Sequence, residues 1–260
     1  GGSFVKFARS PEPGRIEPLG RVPTPAHSFA ALADALDAVL REHGAGPNDP
    51  LALSIAGLVD ADGGPALAAN IPGINGRALE RDLAARLGRP VRAANDADCF
   101  ALAEALEGAG RGHRVVFAAI LGTGVGGGLV ADGRLLRGVG GVSGEWGHGP
   151  VLKTEVRVGE ETVRIPRFPC GCGQAGCVDT AGGARGLERL DGVLNGGSRD
   201  SRAIVAAFEA GEHQAARTVE AWADLVADPL ALVMNLTGAS LVPVGGGLGS
   251  AASLVEVLDR

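Results

Sequence analysis

Val115-Val-Phe-Ala-Ala-Ile-Leu121, Gly122-Thr-Gly124 and Val125-Gly-Gly-Gly-Leu-Val130 follow one another without interruption. The first run is continuously apolar and of strand length. The second is a glycine turn and the third a further strand, so the stretch predicts a buried β-hairpin. Glycines at such a bend let backbone N–H groups approach phosphate oxygens, and the Thr123 hydroxyl adds a donor. A hairpin turn that holds no ligand would use the same residues, and the motif alone does not separate the two readings. No Walker-type lysine sequence and no protein-kinase catalytic loop accompany it.

Upstream of the hairpin, Phe29, Leu32, Leu36, Val39 and Leu40 share one helical face between Ser28, a candidate N-cap, and Arg41. Leu51–Ile55 reads as a strand running into a turn at Gly57. Leu79, Leu83 and Leu87 predict a helix that stops at Gly88. Val91–Ala94 is a further strand, Asn95 a cap, and Asp96–Leu106 a helix with Phe100, Ala103 and Leu106 on one side. Downstream, Gly138–Thr180 is glycine-rich and irregular apart from a hairpin from Glu155 to Ile165, which reads either as a lid or as an insertion. A helical pattern from Ala215 to Leu236 is interrupted at Pro229. Leu241–Val244 is a strand that runs into Gly245-Gly-Gly247 and a final helix. There is no internal repeat, and the mixed order of elements predicts an α/β protein.

Composition narrows the function classes. The 260 residues are 45% hydrophobic and 21% charged, which suits a globular protein of about two domains. A net charge of −6 with scattered basic residues excludes a nucleic-acid-binding surface. Apolar stretches stay well short of the ~20 residues of a membrane span, and no signal-peptide pattern opens the chain. Three of the four cysteines fall within Cys170–Cys177, a clustering that fits a metal better than disulfides and points to a reducing, cytoplasmic setting.

Cys170-Gly-Cys172-Gly-Gln-Ala-Gly-Cys177, with His148 upstream, supplies three thiolates and one imidazole, a complete tetrahedral zinc set. All four positions would be filled by protein, so the predicted zinc is structural and pins the irregular loop; unpaired buried cysteines are the alternative. Cys99, alone on an apolar helix face, reads as core. Asp96 stands where a strand meets a helix, and the helix dipole favours its ionised form. That makes it a candidate general base, with an ordinary capping aspartate as the alternative. Asn70, Glu145 and His148 lie beside glycines and Pro72 and could complete a hydroxyl-reading site with Asp96.

Leu121-Gly-Thr-Gly-Val-Gly-Gly-Gly128, Gly144-Glu-Trp-Gly-His148 and the Cys170–Cys177 run occur in the order and spacing of the ROK (repressor, open reading frame, kinase) sugar kinases. Arg21-Val-Pro-Thr-Pro25, Ala69-Asn-Ile-Pro72, Asn95-Asp-Ala97 and Gly245-Gly-Gly247 extend the likeness over nearly the whole chain, which most resembles bacterial N-acetylglucosamine kinases. The resemblance implies the two-domain actin-like (ribonuclease H-like) sugar kinase fold, with residues 1–110 a small N-terminal α/β domain and 111–260 a larger one carrying the zinc loop. It implies ATP-dependent phosphorylation of a hexose 6-hydroxyl with Asp96 as base. Asn70, Asn95, Asp96, Glu145, His148 and Asp179 match sugar-binding positions. For ATP with Mg2+ it points to Gly1, Gly2, Ser3, Gly122, Thr123, Gly124, Val125, Gly126, Gly127, Gly128, Leu129, Gly245 and Gly246, and for structural Zn2+ to His148, Cys170, Cys172 and Cys177. His148 would meet sugar and zinc with different nitrogens.

The sequence departs from that pattern in several places. The aspartate that precedes the first glycine pair in the family is missing, and the chain stops soon after the Gly245 turn, so truncation at both ends is expected. Phe4 replaces a common lysine or arginine, Asp98 a common asparagine, and Asp179 the usual glutamate after the last cysteine. A kinase for glucose, N-acetylmannosamine or fructose is the alternative within the class. A fragment of a sugar-responsive ROK regulator or an inactive zinc-stabilised binding module are the alternatives outside it. The expected partner is a small sugar, with no nucleic acid and no membrane, and a homodimer is compatible with the resemblance.

Overall fold

The structure, a computed structural model, describes residues 3–12, 14–60 and 62–260. It divides into two compact units, Gly1–Cys99 with Arg137–Val142, and Phe100–Leu136 with Ser143–Arg260.

In the first unit, β1 (Phe4–Glu12) and β2 (Arg15–Pro23) form an antiparallel hairpin in a segment without a strand signal. Pro11, Pro18, Gly20 and Pro23 punctuate it like a loop. A two-stranded ribbon tolerates them because both strands are edges. Helix α1 (Phe29–Glu42) is capped as expected, the Ser28 hydroxyl accepting from Ala31 N–H at 3.2 Å. β3 (Leu51–Ile55) leads through α2 (Leu79–Leu87) to β4 (Val91–Asn95), which runs parallel to β3 with Leu51 opposite Val91 and Ile55 opposite Asn95. Gly88 ends α2 in the left-handed conformation at φ 64°. Leu32, Leu36, Ile74, Leu79, Leu83 and Val91 form the core. An apolar cleft of about 460 Å³ lies between β1 and β3, floored by Leu32, Leu36, Leu79 and Leu83, and the unit carries two separate strand pairs.

Helix α3 (Asp96–Leu106) starts directly from β4. Its buried residues are Ala97, Asp98 and Ala101, whereas Ala103 and Leu106 are exposed, which corrects the expected face. Ala97 and Ala101 are four residues apart, just over one turn, and so share a face. Small side chains at that spacing let a helix lie close to its neighbours, so the larger Leu106 was a poor guide.

The second unit is built on β5 (Val115–Leu121), β6 (Val125–Ala131) and β7 (Arg134–Leu135), an antiparallel meander. Strand β5 is buried on both faces: Phe117, Ala119 and Leu121 join the main core, while Val116 and Ala118 pack with Ala101 and Val130. The hairpin of β8 (Glu155–Val158) and β9 (Glu161–Arg164) sends Val156, Val158 and Ile165 into the same main core. Helices α4 (Asp179–Gly182), α5 (Ala184–Asn195), α6 (Ser201–Glu209) and α7 (His213–Thr237) follow. Lys153 pairs with Asp224 and Asp228 on α7, and Arg217 of α7 with Glu161. The β8–β9 hairpin is therefore a packed part of the unit.

Helix α7 runs on through Pro229, where an interruption was expected. Pro229 can donate no backbone bond, but it is buried, and the packing of Trp222, Leu225 and Val226 holds the helix across that point. The strand expected at Leu241–Val244 is reduced to β10 (Val244–Gly245), parallel to β5, plus a bridge from Leu241 to Val116. Pro243 lacks the N–H a continuous ladder needs, although its carbonyl still accepts from Ala119. Short α8 (Gly246–Gly249) and α9 (Ala252–Leu258) close the chain. Among the described residues no helix is long and apolar enough to cross a membrane.

Asp191, 1% exposed, anchors α5 to the following loop and to α7. It accepts from Arg199 at 2.7 and 3.0 Å, from Asn195 at 2.9 Å and from Thr218 at 2.9 Å. Burial alone would raise its pKa, but the Arg199 guanidinium and the two neutral donors hold it below the usual carboxylate range. A depressed folded-state pKa gives stability that is present above the unfolded value and lost as pH falls through the folded one. Thermal melts from pH 7 into the acid range should show this loss in the wild type and a weaker pH dependence in Asp191→Asn. Asp191→Ala at pH 7 should cost about 3 kcal/mol in urea unfolding, near the low end for a buried pair because Arg199 keeps some exposure.

Candidate active site and metal loop

The ligand atoms of His148, Cys170, Cys172 and Cys177 all lie within 4.8 Å of one another. Backbone pairing draws them together. Pro150 bridges Cys177, Pro169 bridges Ala175, and Cys170 N–H donates to the Gln174 carbonyl at 2.8 Å. Cys170 Sγ is 3.6 Å from His148 Nδ1, and Cys172 Sγ is 3.6 Å from Cys177 Sγ. The Gln174 backbone N–H pulls the Cys172 thiol down to about 6, whereas burial pushes Cys177 up to about 12. A coordinated cation reverses that second shift, because a ligating thiol gives up its proton. Three sulfurs and one imidazole nitrogen at this separation fit a tetrahedral zinc.

His148 belongs to the Gly144–His148 turn, which lies directly on β6. A Cβ on Gly147 would stand 2.1 Å from the Val125 carbonyl oxygen, and one on Gly144 2.4 Å from that of Gly127. Trp146, between them, is buried; its indole donates to the Gly126 carbonyl at 2.7 Å and its ring meets Phe117 edge-on at 6.1 Å. The turn leaves Glu145 half-buried, with Oε2 3.9 Å from His148 Nε2. The imidazole thus presents Nδ1 to the cysteines and Nε2 towards Glu145.

Of the residues expected at the nucleotide phosphates, Gly122, Thr123 and Gly124 form the β5–β6 turn. Thr123 and Gly124 N–H donate no hydrogen bond among the described residues, whereas Gly122 N–H is used by the Gly124 carbonyl and Val125 N–H by Asp179 Oδ1 at 2.8 Å. Val125, Gly126, Gly127, Gly128 and Leu129 lie within β6, where the bare Gly127 makes room for Phe117 and Trp146. Gly246, at φ 89°, abuts the same turn: a Cβ there would be 2.5 Å from the Leu121 carbonyl oxygen. Both glycine turns therefore meet. They open on a cavity of about 440 Å³, a size typical of small-molecule sites. Gly122, Thr123, Ala184 and Gly247 line it on one side and Ser201, Arg202 and Glu209 of α6 on another.

In the first unit, Asn95 closes β4. Its side chain donates to the Gly57 carbonyl at 3.0 Å and accepts from Ala97 N–H at 2.7 Å. Asp96 is exposed at the first turn of α3, Oδ1 taking the same Ala97 N–H at 3.0 Å. Both stand at the carboxyl end of a parallel strand, the usual ligand edge of such sheets. Asn70 is exposed in the turn before Pro72. Ser3 is exposed and its carbonyl accepts from Thr24, while Gly1 and Gly2 lie outside the described residues. Cys99 is only part-buried, and burial raises its thiol pKa despite a Ser54 hydrogen bond.

The profile of the ROK family matches residues 1–260. The chain belongs to the ROK family. It is 36% identical over 244 residues to the N-acetyl-D-glucosamine kinase of Yersinia enterocolitica, covering 92% of this chain and 79% of that one. Among solved structures, the ROK hexokinase of Thermus thermophilus aligns with a TM-score of 0.79 at 32% identity, covering 99% of this chain and 84% of that one. A ROK glucokinase of Streptomyces griseus in complex with glucose and AMPPNP aligns with a TM-score of 0.74 at 28% identity, covering 100% and 85%. The two-unit α/β architecture of this ROK chain is accordingly the actin-like, ribonuclease H-like sugar kinase fold, in a chain shorter than those neighbours.

Sequence reading missed Ser201, Arg202 and Glu209 as cavity residues of this ROK protein. The helix itself went unread; Asp200, which caps α6 by accepting from Ala203 N–H at 2.8 Å, is the local signal that could have marked it, but nothing local marks the face it turns to the glycine bends. Arg202 makes no ion pair among the described residues, and Glu209 accepts from Ser253 at 2.8 Å. For the metal loop, purified protein should carry about one zinc per chain by elemental analysis. Cys172→Ala should lose it, with a lower melting temperature and a wild type made equally labile by chelation.

Proposed function

We propose that this ATP-dependent sugar kinase phosphorylates the 6-hydroxyl of a hexose, with N-acetyl-D-glucosamine as the preferred substrate. The observation that carries the reading is the pairing of two glycine bends at one cavity. Two N–H groups of the Thr123 turn are open to phosphate oxygens, and Arg202 offers a positive charge nearby. In this reading the phosphates of Mg-ATP lie along Gly122–Gly124 and the Gly246 turn, with the nucleoside against α6. Phosphoryl transfer depends mainly on placement and charge stabilisation, so the backbone donors matter more than any covalent chemistry.

Asp96 takes the role of base. It is exposed at the first turn of α3, and one oxygen is held by Ala97 N–H while the other is left to accept a hydroxyl proton. Asn70 and Asn95 of the first unit, and Glu145 and His148 of the second, are assigned as sugar-binding residues; the Asp179 carboxylate is engaged by the Val125 N–H. Structural zinc on His148 Nδ1 and the three cysteines would orient the imidazole so that Nε2 faces substrate, and would hold the turn that carries Glu145. The preference for N-acetyl-D-glucosamine rests on the Yersinia relative. Glucose is the second reading, on the strength of the Streptomyces complex.

A coupled ATP-consumption assay with N-acetylglucosamine, N-acetylmannosamine, glucose, mannose and fructose in parallel tests both. The highest kcat/KM is expected for N-acetylglucosamine; turnover with none of the five would end the kinase reading. Asp96→Asn should lower kcat by roughly 10²–10⁴-fold, the usual worth of a general base, while sugar binding measured by calorimetry changes little. Undiminished turnover would remove Asp96 from the role.

A further inference from the structure

Asp179 stands two residues after the last metal-loop cysteine, where its backbone has little freedom. Val178 is fully buried and donates to the Gly149 carbonyl at 2.9 Å, and Thr180 bonds the Cys177 carbonyl through both its N–H, at 2.9 Å, and its hydroxyl, at 2.7 Å. From that fixed point the side chain reaches the glycine turn and accepts the Val125 N–H. A Cβ on Gly124 would lie 2.1 Å from Asp179 Oδ1, so the carboxylate fills the space that the glycine leaves. The same segment grips the turn at two more points: Ala184 N–H donates to the Gly122 carbonyl at 2.8 Å and Arg185 N–H to the Thr123 carbonyl at 3.5 Å. With Val125 N–H tied down, Thr123 and Gly124 remain as outward donors.

We propose that Asp179 is a positioning residue that latches the phosphate turn to the metal-held loop, so that the order of the loop is transmitted to nucleotide affinity. The link to nucleotide rests on the kinase reading, while the latch itself does not. The aspartate places Oδ1 on the Val125 amide, against the bare Gly124. A side-chain oxygen is required there and a charge is not, since a negative group near phosphate is unfavourable for binding.

Two measurements on the full chain test this. Amide exchange at Val125, followed by NMR, should be slow in the wild type and in Asp179→Asn, and at least tenfold faster in Asp179→Ala; equal exchange in all three overturns the latch whatever the protein binds. Calorimetric titration with a non-hydrolysable ATP analogue, without sugar, should show affinity on the order of tenfold weaker in Asp179→Ala, as expected for one lost hydrogen bond. Asp179→Asn should match or exceed the wild type. Chelation should weaken nucleotide binding in the wild type and add little in Asp179→Ala. If both variants keep wild-type nucleotide affinity and only sugar KM rises, Asp179 is a sugar contact and the transmitted effect is absent.

Discussion

Backbone laid directly on backbone is the constraint from which the second unit takes its form. The Gly144–His148 turn can rest on β6 only because Gly127, Gly144 and Gly147 lack side chains; each position would otherwise put a carbon within 3 Å of a neighbouring residue. Trp146 then locks the contact, with its indole on the Gly126 carbonyl and its ring against Phe117. Glu145 and His148 flank that buried ring, so the orientation of two polar groups is set by the packing of the apolar one between them.

The same close packing joins the metal loop to the glycine turns. Cys177 and Val178 are buried beneath Gly149 and Pro150, and the chain that leaves them grips the β5–β6 turn through Asp179, Ala184 and Arg185. Gly246 approaches that turn from the side of β10. The result is a continuous run of fixed backbone from the His148, Cys170, Cys172 and Cys177 cluster to the cavity beside α6. Such rigidity suits a site that works by placing donors, since donors already held in position need no reorganisation when charge develops. The ion pairs of Lys153 and Arg217 extend the support to the β8–β9 hairpin, joining it to α7.

Elements governed by local chemistry were legible in the residues. The Ser28 cap, the left-handed Gly88, the Leu79–Leu83–Leu87 stripe and the apolar β5 each depend on groups a few positions apart, and each formed as read. The exceptions have two causes. The uninterrupted α7 at Pro229 and the buried alanine face of α3 are cases in which distant packing outweighs what the immediate neighbours favour, whereas the largely exposed β1–β2 ribbon accommodates its prolines because both of its strands are edges.

The chemical parts are written in the order of the residues: three cysteines and a histidine with zinc spacing, two glycine bends, and a carboxylate where a strand becomes a helix. They depend on residue type and separation along the chain, and both can be counted without coordinates. Which parts touch is a property of the folded chain. Folding sets His148 Nδ1 against the cysteines, brings the Gly246 turn onto Leu121, places Arg202 and Glu209 on the cavity wall and puts Asp179 on the Val125 amide. Those contacts join segments far apart in the chain. They are selected by burial and steric fit across the whole unit, and no short window of residues contains that information.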